Sequence, residues 1–261
     1  MAPDYTLDFD RLRRVGFPEV VLAEGKSVEQ IAEICRQLAR AHDVLVTRLS
    51  PELWDEVAGS APLPGRAEYD ARSRTLHLSV GKPMARLEGT VCVVTAGTMD
   101  IAAAEEARRT LEYLGVASTL VPDVGVAGIL RLLSRLEEIE RADVVIAVAG
   151  MEASLFSVIG GLVGRPLIAV PTSRGYGAAF GGLASLLSAV NSCANGVTAV
   201  NIDSGYGAAM AAYRILSGGP RRWDRKKSRP PAPASTRTKP RSGSTANARR
   251  RSSAARRRRS G

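Results

Sequence analysis

The sequence contains few cysteines and histidines. Its 261 residues include only three cysteines and two histidines: Cys35, Cys92, Cys193, His42 and His77. Three scattered cysteines exclude a disulfide framework and a structural zinc site. Because no histidine follows His77, residues 78–261 alone cannot form a Ser-His-Asp triad or a histidine-ligated metal site.

Acidic residues are scarce at the C-terminal end. The net charge is +10, from 36 basic and 26 acidic residues, but residues 220–261 hold 16 of the basic residues and one acid, Asp224. This segment therefore carries +15, whereas residues 1–219, with 20 basic and 25 acidic residues, carry −5. The composition of 220–261 predicts a disordered basic tail. Nucleic acid is a candidate partner only through this tail, by nonspecific phosphate binding.

Long hydrophobic runs are also missing. The N-terminal 14 residues have no apolar stretch typical of a secretory signal. The uncharged segment 175–202 has 28 residues, enough to cross a bilayer, but it is rich in Gly, Ser and Asn. Its longest helix-like apolar piece is 183–190. We therefore expect a soluble, cytoplasmic protein that does not associate with membranes.

Residues 1–87 predict a small α+β module. Its first 26 residues indicate an extended or irregular lead-in. Ser27 and Gln30 form an S-x-x-Q capping box before a helix with apolar residues at helical spacing. The remaining predicted elements are a strand at 44–49, a helix from Pro51 to Val57, and strands at 69–70 and 75–80 around a turn at 71–74.

Residues 88–219 alternate between strand and helix patterns. Buried strands are predicted from five short runs rich in Val and Ile: 91–95, 118–121, 144–149, 167–170 and 197–202. Helices are predicted between and after them: 101–113, 128–141, 153–163, 180–190 and 206–216. This alternation predicts a doubly wound, mostly parallel five-stranded sheet covered on both faces. The strand order 2-1-3-4-5 would bring the loops after the first and third strands together.

Three loops at the predicted carboxyl edge of this sheet combine small residues, hydroxyl groups and helix starts. They are Thr95–Asp100, Ala149–Ser154 and Pro171–Gly177. Each loop alone is consistent with an ordinary turn from strand to helix. Together they favour a phosphate site built from backbone N–H groups and helix N-termini. The chain has no Walker motif, and GYGAAF and GYGAAM lack the third glycine of the dinucleotide fingerprint.

Two side chains in this half of the chain are candidates for chemistry. Cys193 lies in a polar break after an apolar helix, where it is either a thiolate nucleophile or a small buried residue filling a turn. Glu152 is the only acid between Asp143 and Asp203. It is either a general acid or base, or an acid of a first helical turn. Cys35 and Cys92 lie on apolar patterns and are predicted core residues.

Four segments make the chain resemble a known family. They are GFPEVVLAEGKSVEQI (16–31), VVTAGTMDIAAAEEA (93–107), AGMEASLFSVIGGLVGRPLIAVPTS (149–173) and GYGAAFGGLASLLSAVNSCANGVTAVNIDSGYGAA (175–209). Through them, residues 5–216 resemble the LarB family, the pyridinium-3,5-biscarboxylic acid mononucleotide synthases of nickel-pincer cofactor biosynthesis. Residues 90–216 more distantly resemble the PurE-type aminoimidazole ribonucleotide carboxylases.

The LarB resemblance implies a reaction. Nicotinic acid adenine dinucleotide would be carboxylated at pyridinium C5 with carbon dioxide from bicarbonate, and its phosphoanhydride would be hydrolysed to release AMP. Cys193 would be the covalent nucleophile and Glu152 the proton-transfer carboxylate. Asp100 is the third candidate catalytic residue, and with the loop 95–99 it would hold ribose and phosphate. We expect Mg²⁺, with Asp100 and Asp203 as candidate ligands, and no organic cofactor. Because PurE-type enzymes are homo-octamers, the resemblance also implies an octamer.

The residues expected to bind the substrate belong to the same loops and to the segment around Cys193. They are Thr95, Ala96, Gly97, Thr98, Gly150, Met151, Ser154, Arg174, Gly177, Asn191 and Ser192. Three positions depart from the family patterns. Met99 stands where a serine is expected, and Arg174 stands where an uncharged residue is expected. Ser154 stands where PurE-type enzymes have a histidine, which disfavours ordinary aminoimidazole ribonucleotide carboxylation.

Two other functions remain open on the sequence. One is a PurE-like carboxylase or mutase acting on aminoimidazole ribonucleotide, against which Ser154 argues. The other is a non-catalytic nucleotide-binding protein whose basic tail associates with nucleic acid.

Overall fold

The N-terminal part of the chain forms a four-stranded mixed sheet with three helices. The computed structural model describes residues 5–60 and 62–218, so the predicted tail at 220–261 lies outside the described residues. The elements of this part are α1 (Arg11–Val15), β1 (Val21–Leu22), α2 (Val28–Leu38), β2 (Val44–Thr47), α3 (Pro51–Ser60), β3 (Arg66–Asp70) and β4 (Thr75–Ser79). The strand order is β1-β2-β4-β3, with β1 parallel to β2 and the other pairs antiparallel.

The predicted start of α2 is confirmed. The Ser27 side chain accepts a hydrogen bond from the Gln30 N–H at 3.2 Å, and the Gln30 side chain accepts one from the Ser27 N–H at 3.0 Å. These two bonds satisfy N–H groups that the first turn of a helix leaves without partners. The apolar face of α2, including Cys35, is buried with β2 and β4, which confirms Cys35 as a core residue.

The prediction of an irregular lead-in over residues 1–26 is wrong in two places. Helix α1 has only five residues and ends at Gly16, whose φ of 87° is readily adopted by glycine. Strand β1 has two residues, which pair with β2. Elements this short contain too few residues to show a hydrophobic period, so no sequence pattern predicts them.

The second part of the chain contains the predicted five-stranded sheet. Its strands are β5 (Leu87–Thr95), β6 (Val116–Val121), β7 (Val144–Ala149), β8 (Leu167–Pro171) and β9 (Val197–Ala199). All neighbours are parallel, in the order β6-β5-β7-β8-β9. This is the order 2-1-3-4-5. All six residues of β7, the central strand, are buried, as expected for a strand covered on both faces.

Helices cover both faces of this sheet. They are α4 (Ile101–Tyr113), α5 (Ile129–Ser134), α6 (Leu136–Glu140), α7 (Leu155–Leu162), α8 (Leu183–Val190) and α9 (Gly205–Leu216). Helices α4 and α9 pack on one face, with Val91 and Val93 of β5. Helices α5 to α8 contribute to the core on the other face, with Cys92 and Val94. Cys92 is therefore a core residue, as predicted.

Three predicted helices differ from the observed ones. The helix predicted at 128–141 is two helices separated by Arg135, whose φ of −110° and ψ of 4° are not helical. The helix predicted at 180–190 begins at Leu183, because the three residues before it have positive φ. The helix predicted at 153–163 begins at Leu155, since Ala153 has φ 52°. The strand predicted at 197–202 ends at Ala199.

Hydrogen bonds and apolar contacts hold the N-terminal sheet against helices α4 and α9. The Tyr113 hydroxyl donates to the carbonyl of Asp43 at 3.0 Å, and the Tyr213 hydroxyl donates to the carbonyl of Gly16 at 2.7 Å. Phe17 packs edge-on against Tyr213, with ring centroids 6.1 Å apart. The two sheets therefore form one body. Within the described residues, no helix has the length and apolar character needed to cross a membrane.

Candidate active site

The loops after β5, β7 and β8 converge on the carboxylate of Asp100. One oxygen of this carboxylate accepts a hydrogen bond from the Thr172 hydroxyl at 2.7 Å, and the other accepts one from the Gly97 N–H at 2.9 Å. The Gly150 N–H contributes a further hydrogen bond. Asp100 is buried, and this burial raises the pKa of its carboxyl group, although the hydrogen bonds oppose the shift.

Gly150 brings two of these loops into close approach. A Cβ atom at Gly150 would lie 2.1 Å from the carbonyl oxygen of Arg174 and 2.8 Å from the Thr172 hydroxyl oxygen. No side chain fits at this distance, so the loop after β7 can contact the loop after β8 only with glycine at this position. The predicted site residues Gly97, Asp100, Gly150 and Arg174 therefore lie at one edge of the sheet.

A fourth loop, which was not predicted from the sequence as part of the site, belongs to this edge. Residues 122–128 follow β6, where the Asp123 N–H donates to the side-chain oxygen of buried Thr95 at 3.0 Å. A Cβ at Gly125 would lie 2.6 Å from the carbonyl oxygen of Ala96, so this loop packs tightly on the loop after β5. The glycines at 125 and 128, directly after a predicted strand, are the signal that could have revealed it.

Glu152 lies at the entrance of α7. Its carboxylate accepts hydrogen bonds from the N–H of Ser154 at 2.6 Å and from the Ser154 hydroxyl at 2.9 Å. Both residues that flank Glu152 have left-handed backbones, with φ 53° at Met151 and 52° at Ala153. Glu152 and Met151 are exposed in the single chain. The apolar, glycine-rich sequence around Glu152 therefore does not enclose its carboxylate within one chain.

Cys193 has an exposed thiol in the loop between α8 and β9. Within the single chain, Cys193 is therefore not a buried residue that fills a turn. The adjacent Ser192 hydroxyl lies 2.8 Å from the Ser157 hydroxyl of α7. A Cβ at Gly160, also in α7, would lie 2.7 Å from Cβ of Ala194. The Cys193 loop therefore packs on α7, the helix whose entrance holds Glu152.

The other predicted binding residues have varied surroundings. The Asn191 side chain donates to the carbonyl of Leu187 at 2.8 Å, at the end of α8. Thr98, Arg174 and Gly177 are exposed at the sheet edge. Gly177 has φ 58°, a left-handed conformation that glycine adopts without strain.

A cleft of about 380 Å³ opens between these loops and the N-terminal sheet. Met99, Thr172, Arg174 and Asp203 line it from the loops of the second sheet. Three arginines of the N-terminal part line the opposite wall: Arg48, Arg72 and Arg74. These arginines were not predicted from the sequence, because the cleft forms only where the two sheets pack together. The available sequence signal was their position, because Arg48 directly follows β2 and Arg72 and Arg74 lie in the β3–β4 turn.

Buried Glu106 lines the same cleft from α4. Its carboxylate accepts hydrogen bonds from the N–H groups of Gly205 and Tyr206, at the start of α9, the latter at 3.1 Å. Burial raises the pKa of this carboxyl group, while these N–H groups and Arg48 oppose the shift. Glu106 thus stabilises the N-terminus of α9.

The residues expected to hold Mg²⁺ do not form an all-protein cation site. Both oxygens of Asp100 accept hydrogen bonds, and one oxygen of Asp203 accepts a hydrogen bond from the Ser173 N–H at 2.9 Å. Over residues 5–60 and 62–218, no group of three or more His, Cys, Asp or Glu side chains is placed to hold a metal ion. These two carboxylates fit only the mode in which phosphate oxygens of a substrate supply most of the ligands.

Comparisons with known proteins agree with this two-part architecture. Residues 4–80 match the family described as LarB/PurE-like N-terminal domain, and residues 90–228 match the AIR carboxylase family. Uncharacterized protein MJ0165 of Methanocaldococcus jannaschii is 38% identical over 214 residues, which cover 80% of this chain and 82% of that protein.

Two further proteins each match about half of this chain. N5-carboxyaminoimidazole ribonucleotide mutase of Methanocaldococcus jannaschii is 37% identical over 131 residues, covering 49% of this chain and 78% of that protein. The crystal structure of Treponema denticola PurE matches with a TM-score of 0.42 and 24% identity, covering 50% of this chain and 81% of that chain.

The parallel sheet and the loops gathered at its carboxyl edge define an α/β protein of the class that binds ligands at this edge. The chain belongs to the AIR carboxylase family and also carries the LarB/PurE-like N-terminal domain. It is therefore an enzyme of the carboxylase or mutase type that acts on nucleotides, in a family whose members typically form oligomers.

Proposed function

We propose that this enzyme carboxylates nicotinic acid adenine dinucleotide at C5 of its pyridinium ring and hydrolyses its phosphoanhydride. The products are pyridinium-3,5-biscarboxylic acid mononucleotide, a precursor of the nickel-pincer nucleotide cofactor, and AMP. The observation that carries this proposal is the exposed thiol of Cys193, on a loop that packs against the helix preceded by Glu152. A thiol that can add to the ring and a carboxylate that can take a proton are the two groups that this chemistry needs.

In this proposal, the Cys193 thiolate makes C5 of the pyridinium ring nucleophilic. A pyridinium ring is electron-poor, so its C5 does not attack carbon dioxide. When the Cys193 thiolate adds to a neighbouring ring carbon, a C–S bond forms and the ring becomes a neutral dienamine with a nucleophilic C5. This carbon then bonds to carbon dioxide, which gains the negative charge of a carboxylate. Covalent addition thus divides one prohibitive step into easier ones.

Glu152 would complete the carboxylation. Its carboxylate takes the proton from C5, and the electrons of that C–H bond return to the ring as the C–S bond breaks. The thiolate leaves and the aromatic pyridinium is restored. The net change is replacement of a ring proton by a carboxylate, with no oxidant or reductant needed. The exposed position of Glu152 at the α7 entrance allows contact with a bound substrate.

Asp100 has a positioning role in this proposal. Both of its carboxylate oxygens accept hydrogen bonds that hold the loops after β5 and β8, where residues 95–98 and 150–151 would bind ribose and phosphate. Water then cleaves the phosphoanhydride and AMP departs. Mg²⁺, when bound with the substrate phosphates, would neutralise the charge that develops on them. Asp203 and Arg174 lie beside the same cleft.

We also propose that the working form is a homo-octamer. The segment 176–190 exposes large apolar side chains in the single chain, with exposed fractions of 81% at Tyr176, 74% at Phe180 and 61% at Val190. Leu183 and Leu187 add to this surface. Apolar patches of this kind usually mark an interface. Because Cys193 follows α8 directly, assembly through this surface would bring another subunit close to the reactive thiol.

Incubation with nicotinic acid adenine dinucleotide, bicarbonate and Mg²⁺ tests the function. Mass spectrometry should detect AMP and a dicarboxylated mononucleotide; absence of both from folded protein would overturn the proposal. Cys193→Ala should abolish carboxylation while dinucleotide binding remains. Asn195→Ala, at an exposed position of the same loop, is the matched control and should remain active. Full activity of Cys193→Ala would remove this residue from the mechanism.

A second candidate is a mutase acting on a carboxylated aminoimidazole ribonucleotide. The 37% identity to N5-carboxyaminoimidazole ribonucleotide mutase favours it. Against it stands Ser154, where PurE-type enzymes have a histidine. The Ser154 hydroxyl donates to Glu152 and has no ring nitrogen to carry a proton. Turnover of that ribonucleotide by the purified enzyme would establish this activity instead.

A further inference from the structure

The cleft between the two sheets has a basic wall that the proposed carboxylation chemistry does not use. We propose that this cleft binds the AMP half of the dinucleotide, with Arg72 and Arg74 of the N-terminal sheet as the phosphate-binding side chains. This inference rests on the proposed function for the identity of the dinucleotide. It gives the N-terminal sheet a specific task, which is to recognise the nucleotide that leaves after hydrolysis.

The carboxylates that line the cleft have partners within the protein, whereas three of its arginines form no ion pair within the described residues. Three carboxylates line it, and each has a partner: Glu24 pairs with Arg48 at 3.2 Å, Glu106 accepts the N–H groups of α9, and Asp203 accepts the Ser173 N–H. Within the described part of the chain, no ion pair involves Arg72, Arg74 or Arg174. Three guanidinium groups therefore remain for an anionic ligand.

The backbone places two of the arginines side by side. Strands β2 and β4 are antiparallel, and Val46 pairs with Leu76, so Arg48 lies opposite Arg74 one step beyond the strand ends. The Leu49 N–H donates to the Arg74 carbonyl at 2.9 Å and extends this pairing. Both arginines have φ 54°, which is uncommon for residues with a side chain. The fold thus holds this pair in one defined place.

The cleft also has an apolar part, which favours a nucleotide over a bare phosphate. Leu53, Met99, Ala102 and Ala103 line it together with the arginines. Met99 has 66% of its surface exposed and offers a thioether on which a base can lie. The volume of about 380 Å³ is within the range of small-molecule sites. Methionine in place of the expected serine at position 99 thus favours contact with a base over contact with a phosphate.

The cleft is continuous with the loops that would hold the reacting ring. Thr172 lines the cleft and donates to Asp100, whose other oxygen holds the loop after β5. Arg174 lines the cleft and its carbonyl oxygen is packed against Gly150. A dinucleotide with its pyridinium at the loops after β5 and β7 can therefore extend past Thr172 and Arg174 toward Arg72 and Arg74.

The test compares three nucleotides on the full-length protein by calorimetry: AMP, nicotinic acid adenine dinucleotide and nicotinic acid mononucleotide. The double variant Arg72→Gln/Arg74→Gln should bind AMP and the dinucleotide about 10-fold or more weakly. Its affinity for the mononucleotide should not change. Arg72→Glu should weaken AMP binding more than Arg72→Gln. The matched control is Arg66→Gln, on β3 but outside the cleft, which should bind all three nucleotides normally.

Two results would overturn the inference. One is unchanged AMP affinity in the double variant. The other is an equal loss for AMP and for the mononucleotide, which would indicate a general effect. Inorganic pyrophosphate is the competitor that tests base recognition, and it should displace AMP only weakly. Displacement at the affinity of AMP itself would mean that the arginines form a phosphate site without nucleotide recognition, and would also overturn the inference.

Binding of AMP needs no turnover, so the two proposals fail separately. If the protein does not convert the dinucleotide but binds AMP through these arginines, the proposed function falls and the AMP site stands. If the double variant converts the dinucleotide with an unchanged KM and binds AMP normally, the AMP site falls and the proposed function stands.

Discussion

The Thr172 hydroxyl donates a 2.7 Å hydrogen bond to the buried carboxylate of Asp100, and this bond joins the loop after β8 to the loop after β5. The two residues are 72 positions apart in the chain. Their contact therefore depends on the parallel sheet that brings both strand ends to one edge. Because the acceptor is a buried carboxylate, loss of its hydroxyl donor should be costly.

Thr172→Val tests this contact. Valine keeps the shape of threonine but removes the donor, so one Asp100 oxygen loses its partner away from water. We expect the free energy of unfolding to fall by about 1–3 kcal/mol in urea denaturation. The matched control is Thr198→Val at an exposed position of β9, where we expect little change. Equal stability of the two variants would show that the Asp100 bond contributes nothing measurable.

Gly150→Ala tests the close approach of the loops after β7 and β8. The added Cβ would lie 2.1 Å from the Arg174 carbonyl oxygen, and this backbone atom can move only if its loop moves. We expect a loss of about 1–3 kcal/mol in stability, together with lower activity. Gly164→Ala is the control, because a Cβ there meets no atom within 4 Å. A wild-type melting temperature for Gly150→Ala would contradict the prediction.

Thiol labelling compares the reactivity of the exposed Cys193 with that of the buried Cys35 and Cys92. Burial raises the pKa of the Cys35 thiol to about 12, and burial also raises the pKa of the Cys92 thiol. Only the thiolate reacts, so these two should be inert in the native protein. Ellman's reagent at pH 8 should modify Cys193 alone, and Cys193→Ala should show almost no native reaction. Rapid native labelling of Cys193→Ala would show that a core cysteine is accessible.

The pH dependence of stability tests the buried carboxyl group of Glu106. Burial raises its folded-state pKa above the ordinary value of 4.5, so the folded protein holds this proton more tightly than the unfolded chain. The resulting stabilisation is present below about pH 4.5 and is lost as the pH rises through the folded-state pKa. The melting temperature of wild type should therefore fall relative to that of Glu106→Gln as pH rises over that window, because only the wild type must bury a charge there.

The control for this experiment is Glu112→Gln, at an exposed position of the same helix. Its melting temperature should follow the wild-type profile at each pH. A constant difference between wild type and Glu106→Gln across the window would contradict a raised pKa at Glu106. Glutamine keeps a side-chain oxygen that can accept the Tyr206 N–H, so the comparison isolates the effect of ionisation at this position.

The second sheet could be predicted from the sequence because its signal is local. Runs such as 144–149 are continuous and β-branched, since a central parallel strand is buried on both sides. The starts of α7 and α8 were harder to predict. Ala153 and Phe180 adopt positive φ, although their residue types give no indication of it. Strain of this kind is imposed by surrounding structure and is not encoded by local propensity.

The candidate site likewise has one part that could be predicted from the sequence and one part that could not. The loops after β5, β7 and β8 were predicted because every strand of a parallel sheet delivers its following loop to one edge. The wall formed by Arg48, Arg72 and Arg74 was not predicted. It faces the loops only because Tyr113 and Tyr213 fix the N-terminal sheet against the second sheet, a contact between residues up to 197 positions apart. A contact between residues so far apart in the chain leaves no periodic pattern in a short stretch of sequence.

Both of these tyrosine hydrogen bonds end on main-chain carbonyl groups, those of Asp43 and Gly16. The atoms that dock the N-terminal sheet are thus different from the side chains of the 71–74 turn that face the cleft. The side chains proposed to bind the ligand are therefore not the atoms that attach the N-terminal sheet to α4 and α9. Substitutions in the turn should therefore change the ligand preference of the proposed AMP site while the two tyrosine hydrogen bonds keep the N-terminal sheet in place.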